Sequence, residues 1–277
     1  WRRGRMSAFG LGWHIMKERL GAGRMVVIWI LLAILVLFAS WGFTDSNLSL
    51  TSNYQIDSAY DVLFVSTAAT IWGSTLGAVL ISFDGVSRDR VSGVLEIKLS
   101  QPMQRKKFAI SLLLGHWGAI LIPFMTLNFL SILIIWYRID ELPNLYELLI
   151  YIIASALLVF WWTAIQLLAS SWAKDMGLSI ALGLGVWITF ILLWIIPTAV
   201  IAGFTGVGVE NLSSPEYTKL QGLVDLFSPN GAYNHLMEVA IDHIDRGVSL
   251  IYITISAILW TLVPAGLFIR RLERIRP

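Results

Sequence analysis

The sequence predicts an all-α polytopic membrane protein with six transmembrane helices, an N-terminal interfacial helix and an amphipathic cytoplasmic helix between two spans. Of its 277 residues, 57% are hydrophobic and 14% are charged, and the mean hydropathy is +0.73, well above that of a soluble domain. The apolar residues form blocks of about 20 residues, the length that a bilayer core of roughly 30 Å requires. Basic residues concentrate in alternate connections between these blocks. We therefore expect a single transmembrane domain over residues 1–277.

The N-terminal part, residues 1–24, mixes Phe9 and Trp13 with Lys17 and Arg19. This mixture predicts an interfacial elbow helix with its basic residues near lipid headgroups, and Gly21-Ala22-Gly23 predicts the turn into the bilayer. The six spans are predicted at 25–43, 62–83, 108–136, 148–173, 176–201 and 248–269. Residues 203–247 are predicted to form an external helical insert. Its two short helices, around 215–226 and 231–245, should lie on or dip into the outer leaflet.

The distribution of charge predicts the orientation of the chain. With a cytoplasmic N-terminus and six crossings, 17 of the 20 Lys and Arg residues lie on the cytoplasmic side, leaving Arg138, Lys219 and Arg246 outside. Such a bias is the positive-inside pattern of multi-pass membrane proteins. We therefore expect a multi-pass protein of the cell (plasma) membrane with both termini in the cytoplasm.

Residues 84–107 form a charged amphipathic segment between the second and third spans. As one helix from Val86 onward, the segment would place four apolar residues on one face: Val91, Val94, Leu95 and Leu99. Its opposite face would carry Arg88, Asp89, Ser92 and Glu96. Pro102 is predicted to end the helix, and Arg105 to mark the return to the bilayer. This pattern predicts a helix that lies flat at the membrane surface and offers charges to a soluble partner.

The same segment resembles the cytoplasmic loop of ABC-2 type transporter permeases. The matching residues are Asp84, Val86, Gly93, Leu95, Glu96, Leu99, Ser100, Pro102 and Arg105. Nearly the whole chain is similar to that family in plan, with an elbow helix, six spans and an external insert before the last span. The chain departs from the family pattern at residues 111–116, which lack a basic residue often found there, and at Arg88-Asp89-Arg90, where acidic residues often dominate.

This resemblance implies the permease subunit of an ATP-driven ABC transporter, an exporter, with a coupling helix that docks on a separate ABC ATPase subunit. The implied ATPase-coupling residues are Asp84, Arg88, Asp89, Val91, Gly93, Leu95, Glu96, Pro102 and Arg105. The sequence contains no G-x-x-x-x-G-K-[ST], so we expect no cofactor in this chain and expect ATP and Mg²⁺ on the partner. A second permease copy or a homologous permease is expected to complete a dimeric membrane core, in contact with the lipid bilayer. No nucleic-acid motif is present.

Two other classes of function are open to a sequence of this composition. A non-transporting membrane scaffold, or a sensory or assembly protein, would also fit, with residues 84–107 as a simple amphipathic connector. A membrane-embedded enzyme would need a polar catalytic cluster, and, apart from aromatic hydroxyls, His116 is the only conventionally ionisable side chain between the polar ends of the spans. We therefore predict no catalytic residue and no metal site.

Four residues within the spans are candidates for gating or helix kinks: His116, Pro123, Pro197 and Pro264. His116 could contact substrate, or be a neutral side chain that is hydrogen-bonded within the bundle. Each proline removes a backbone hydrogen bond and can kink its helix, although membrane helices also tolerate proline without such a role.

On the second external helix, His235, Glu238 and Asp242 share one face. The pattern lacks a fourth ligand and a recognised spacing, so it favours a solvated face over a metal site.

Overall fold

The computed structural model describes residues 7–45, 56, 58–100, 104–208, 212, 214–241, 244 and 246–275, and these residues form helices and no strands. The twelve helices of this part of the chain are α1 (Ala8–Leu20), α2 (Gly23–Phe43), α3 (Ala59–Ser82), α4 (Ser87–Val91), α5 (Val94–Ser100), α6 (Arg105–Ile139), α7 (Leu145–Trp172), α8 (Met176–Ile191), α9 (Ile195–Thr205), α10 (Pro215–Asp225), α11 (Pro229–Glu238) and α12 (Leu250–Arg274). The predicted all-α fold is confirmed.

Helices α2, α3, α6, α7 and α12 are long and apolar enough to cross a membrane. Helices α8 and α9 are long and apolar enough to cross a membrane only when taken together, and they meet at a bend of 47°. The described part of the chain therefore has five candidate spans, or six when this bent pair, interrupted at residues 192–194, is counted as the fifth of the predicted spans. Pro197 lies in the first turn of α9, directly after this break, whereas Pro123 and Pro264 lie inside the uninterrupted helices α6 and α12.

The helices alternate in direction, so α1, α4 and α5 lie at one end of the bundle. We call this end the basic end, because Arg19, Arg24, Arg88 and Arg90 lie there, and the opposite end the far end. Helix α1 packs along the first half of α6, since Gly12 and Gly115 let the two backbones approach. A methyl group on Gly115 would lie 2.6 Å from Ile15 Cγ2. Contact with α6 therefore holds α1 in place.

Helices α10 and α11 form a hairpin that enters the bundle from the far end. The Trp162 indole donates to the Asn230 side-chain oxygen at 3.0 Å, and the Tyr60 hydroxyl donates to the Met237 carbonyl at 2.9 Å. Trp162 follows the first residue of α7, Leu145, by 17 positions, or about 26 Å along a helix. The turn before α11 thus lies deep within the bundle, while the end of α11 lies beside the start of α3.

Candidate functional site

The segment between α3 and α6 is two short helices at an angle, not one continuous helix. Gly93 has φ +69, a left-handed conformation that interrupts the helix between α4 and α5. The interruption changes the register of the two faces, so Val91 is 58% exposed while Leu95 and Leu99 are buried. The prediction of a single helix from Val86, with Val91 on the same face as Leu95, is therefore wrong.

Helix α5 is anchored to the bundle by its two buried leucines. Leu95 and Leu99 belong to a buried apolar cluster that includes Phe108 of α6, Leu167 of α7 and Phe268 of α12. Burying a leucine side chain contributes about 1.5 to 3 kcal/mol. This cluster connects α5 with the basic ends of three spanning helices.

Helix α4 is anchored mainly by polar contacts to α7. The Ser170 hydroxyl accepts hydrogen bonds from the backbone N–H groups of Val86 (3.1 Å) and Ser87 (3.0 Å), the two residues at the start of α4. Arg90 donates to the carbonyls of Ala173 and Ser171, the latter at 2.8 Å, where the end of α7 leaves carbonyl groups unpaired. A displacement of α4 would therefore act directly on the end of α7.

Asp84 lies in the turn before α4 and is 5% exposed. Its Oδ1 accepts hydrogen bonds from Arg19 Nη1 of α1 at 2.5 Å and from Arg24 Nη2 of α2 at 2.8 Å, and Arg88 Nη1 lies 3.9 Å from Oδ2. Three guanidinium groups thus surround one carboxylate. Asp84 is a buried junction between the elbow helix and this segment, so it acts on any partner through Arg19, Arg24 and Arg88.

The sequence reasoning did not assign a role to Arg19 or Arg24 beyond their charge. The available signal was their position on either side of the Gly21–Gly23 turn. Two basic side chains that flank a tight turn lie close together and can bind the same acidic residue. A lone carboxylate directly after a span was the corresponding signal at Asp84.

Asp89 and Arg105 also make internal contacts. Asp89 Oδ2 lies 2.5 Å from Lys98 Nζ, an ion pair that joins α4 to α5 across Gly93. Arg105 Nη1 donates to the carbonyls of Glu273 (2.9 Å) and Ile275 (2.7 Å) at the end of α12. Both side chains therefore hold the segment in place. Pro102 lies outside the described residues.

The outward face of the two short helices combines exposed apolar and charged side chains. We call this face the α4–α5 surface, and it consists of Arg88, Val91, Ser92, Gly93, Glu96 and Ile97. Ile97 is 61% exposed, and it was missed because the continuous-helix pattern included only the apolar residues of one stripe. Exposed apolar side chains beside charges are typical of a protein–protein contact.

His116 is fully buried in α6, beneath the turn that precedes α4. Its Nδ1 lies 2.8 Å from the Leu112 carbonyl of its own helix, and its Nε2 has no hydrogen-bond partner among the described residues. A methyl group on Gly85 would lie 3.1 Å from that Nε2 and 2.5 Å from Leu167 Cδ2. His116 is thus close to the turn and buried, so it is not part of the exposed α4–α5 surface.

A second group of charged side chains is buried at the far end. Arg246 Nη2 lies 2.5 Å from Glu238 Oε1, and its Nη1 lies 3.3 Å from Asp225 Oδ2, while His235 Nδ1 lies 3.2 Å from Glu238 Oε2. Burial raises the pKa of the Asp225 carboxyl, although Arg246 and His235 oppose the shift. The predicted solvated face is therefore wrong for His235 and Glu238, because α11 turns this face into the protein. Asp242 lies outside the described residues.

Comparison with known protein families gives a match over most of the chain. Residues 15–275 match the family described as ABC-2 family transporter protein. The match includes the elbow helix from its middle, all candidate spans and the α4–α5 surface. Comparison with curated proteins gives no match for this chain.

Proposed function

The chain belongs to the ABC-2 family of transporter proteins, and on that basis we propose that it is the permease subunit of an ATP-driven exporter whose ATPase is a separate chain. The observation that carries the proposal is the α4–α5 surface. It exposes Val91 and Ile97 together with Arg88 and Glu96, while the opposite side of the same segment is anchored to the bundle.

In this proposal the basic end faces the cytoplasm of a cell whose plasma membrane holds the protein. The charge distribution supports this orientation, because the arginines and lysines of α1, α4, α5 and the end of α12 all lie at that end. Both chain termini would then be cytoplasmic. The ATPase subunit, with its bound ATP and Mg²⁺, would approach the α4–α5 surface from the cytoplasm.

The anchoring contacts support a route for coupling. Movement of α4 would reach α7 through Arg90 and Ser170, and movement of α5 would reach α6 and α12 through Leu95 and Leu99. Asp84 would carry the same movement to α1 and α2. ATP binding would thereby favour one of two bundle arrangements and open a path toward the far end. A second permease copy or a homologous permease would form the other side of that path.

Co-purification tests the docking part of the proposal. The full chain is expressed with any ABC ATPase that is encoded beside its gene, and Glu96→Arg and Ile97→Asp are introduced at the α4–α5 surface. We expect at least a tenfold loss of ATPase association for each variant, because the first reverses the charge that the surface presents and the second places a desolvated charge in the contact. The matched controls are Glu141→Arg and Leu142→Asp in the connection at the far end, where Leu142 is 51% exposed.

The outcomes separate transport from the alternative of a membrane scaffold. If Glu96→Arg and Ile97→Asp lose ATPase association and the stimulation of its ATP hydrolysis, while both controls keep them, the result supports a permease function. Unchanged association in Glu96→Arg and Ile97→Asp, or the absence of any neighbouring ABC ATPase gene, would favour a non-transporting scaffold or an assembly protein instead.

A further inference from the structure

A cavity of about 310 Å³ lies in the half of the bundle toward the far end, between the break in the fifth span and the re-entrant hairpin. One wall is α3 and the residues around the α8–α9 bend, and the other is α10 and α11. This volume is at the lower end of the range for small-molecule sites, about 300 to 1,000 Å³. Such a cavity holds a compact ligand or one unit of a larger molecule.

The first wall of the cavity is aromatic. Trp72 and Trp194 line it, and Phe190 packs against Trp194 with their ring centroids 5.0 Å apart. The chain turns at the break at residues 192–194, so that Phe190 before the break and Trp194 within it line the same cavity. Flat aromatic surfaces bind the apolar faces of rings.

The second wall carries hydrogen-bonding groups that have no partner among the described residues. The side chains of Gln221 and Asn234 line the cavity and make no hydrogen bond to any described residue, and the same holds for the hydroxyl of Tyr217. By contrast, the neighbouring Asn230 amide is used by Trp162 and the Phe190 carbonyl. Partly buried amides without a partner cost free energy until a ligand or water satisfies them.

The charge of the cavity points to an uncharged ligand. Among the described residues that line it, no Lys, Arg or His is present to pair with an anion. Asp225 is the one lining carboxylate of that set, and its Oδ2 is 3.3 Å from Arg246 Nη1. A cation would therefore have to compete with Arg246 for Asp225. An anion would be repelled by Asp225 and would find no basic side chain among the described lining residues.

We propose that this cavity binds an uncharged, hydroxyl-bearing ring, of which a neutral sugar is the representative class. The ring's apolar face would stack on Trp72 or Trp194, and its hydroxyls would exchange hydrogen bonds with Gln221, Asn234 and Tyr217. Its interpretation as a transported substrate rests on the proposed function, whereas the binding itself does not.

The test is a binding titration on the full chain in lipid nanodiscs, without ATPase or nucleotide. The probes are glucose and maltose as neutral sugars, glucuronate as the anionic counterpart and glucosamine as the cationic one. We expect the neutral sugars to bind at least tenfold more tightly than either charged sugar. Gln221→Ala and Asn234→Ala should each weaken binding about fivefold, the effect of one lost hydrogen bond of about 1 kcal/mol.

Matched controls exclude a general effect of the substitutions. Gln104→Ala removes an exposed amide at the basic end, and Trp136→Ala removes a 48% exposed tryptophan of α6, comparable with the 45% exposed Trp72. Trp72→Ala should weaken sugar binding, whereas both controls should leave the affinity unchanged. The thermal midpoints of all variants should match that of the unaltered protein.

Three results would overturn the proposal: failure of both neutral sugars to bind, equal binding of the charged sugars, or binding that is insensitive to Gln221→Ala and Asn234→Ala. The last of these would indicate that the sugar binds elsewhere and that the two amides meet only water. Because no ATPase takes part, failure here leaves the co-purification result intact, and loss of the ATPase partner would leave a measured sugar affinity intact.

Discussion

Arg19 and Asp84 are 65 positions apart in the sequence, yet Arg19 Nη1 donates a hydrogen bond of 2.5 Å to Asp84 Oδ1. The contact joins the elbow helix to the turn that leads into α4. Its side chains are 12% and 5% exposed, so water screens the pair little. This carboxylate is therefore the polar link between α1 and the turn that leads into the α4–α5 surface, beside the apolar contacts that Leu95 and Leu99 make.

Removing the carboxylate should destabilise the protein. Asp84→Ala leaves Arg19 and Arg24 close together without their shared acceptor, and the expected loss in free energy of unfolding is about 3 kcal/mol. Denaturation of the chain in detergent micelles, followed by tryptophan fluorescence, measures this loss. The control is Asp89→Ala, whose pair with Lys98 is more exposed and should contribute about 1 kcal/mol or less. Equal losses for the two variants would show that Asp84 is not a junction.

The left-handed backbone at Gly93 predicts a difference between two substitutions there. Asparagine tolerates this conformation, whereas a β-branched residue is strained in it by roughly 1–2 kcal/mol. Gly93→Val should therefore straighten the segment and reduce ATPase association, while Gly93→Asn should retain it. Apart from its own chain neighbours, no atom of the described residues lies within 4 Å of a methyl group placed on Gly93, so a clash with surrounding side chains does not explain the difference. Co-purification of the ATPase with each variant decides the matter, and equal retention by Val and Asn would argue against a need for the break.

The buried charges at the far end predict a large effect for Arg246. Arg246→Gln removes the guanidinium that lies within 3.3 Å of both Glu238 and Asp225, and leaves two carboxylates buried near each other. We expect a loss of about 3 kcal/mol in unfolding free energy. The same change at Arg138, whose contact with Asp45 is longer at 4.0 Å and more exposed, should cost about 1 kcal/mol or less. Thermal midpoints of the two variants, compared in the same detergent, test this expectation, which similar shifts would contradict.

The spans could be predicted because hydrocarbon length and apolar blocks are both local properties. The bend of the fifth span was only partly predictable: Pro197 marked the region, but proline also occurs in the unbroken helices α6 and α12. Gly93 presented a similar difficulty. A glycine inside an amphipathic pattern is often tolerated in a helix, and the break follows from the packing of Leu95 and Leu99.

The amino-acid sequence by itself determined which apolar blocks are long enough to span a membrane and where the basic residues concentrate, because these depend on composition within about 20 residues. Only the tertiary structure decided that Asp84 meets Arg19 and Arg24, that the hairpin turn lies beside Trp162, and that Glu238 is buried against Arg246. Each of these contacts joins residues from separate helices or from the connections between them. Their partners are set by how the helices pack against one another, which no local pattern of residues records.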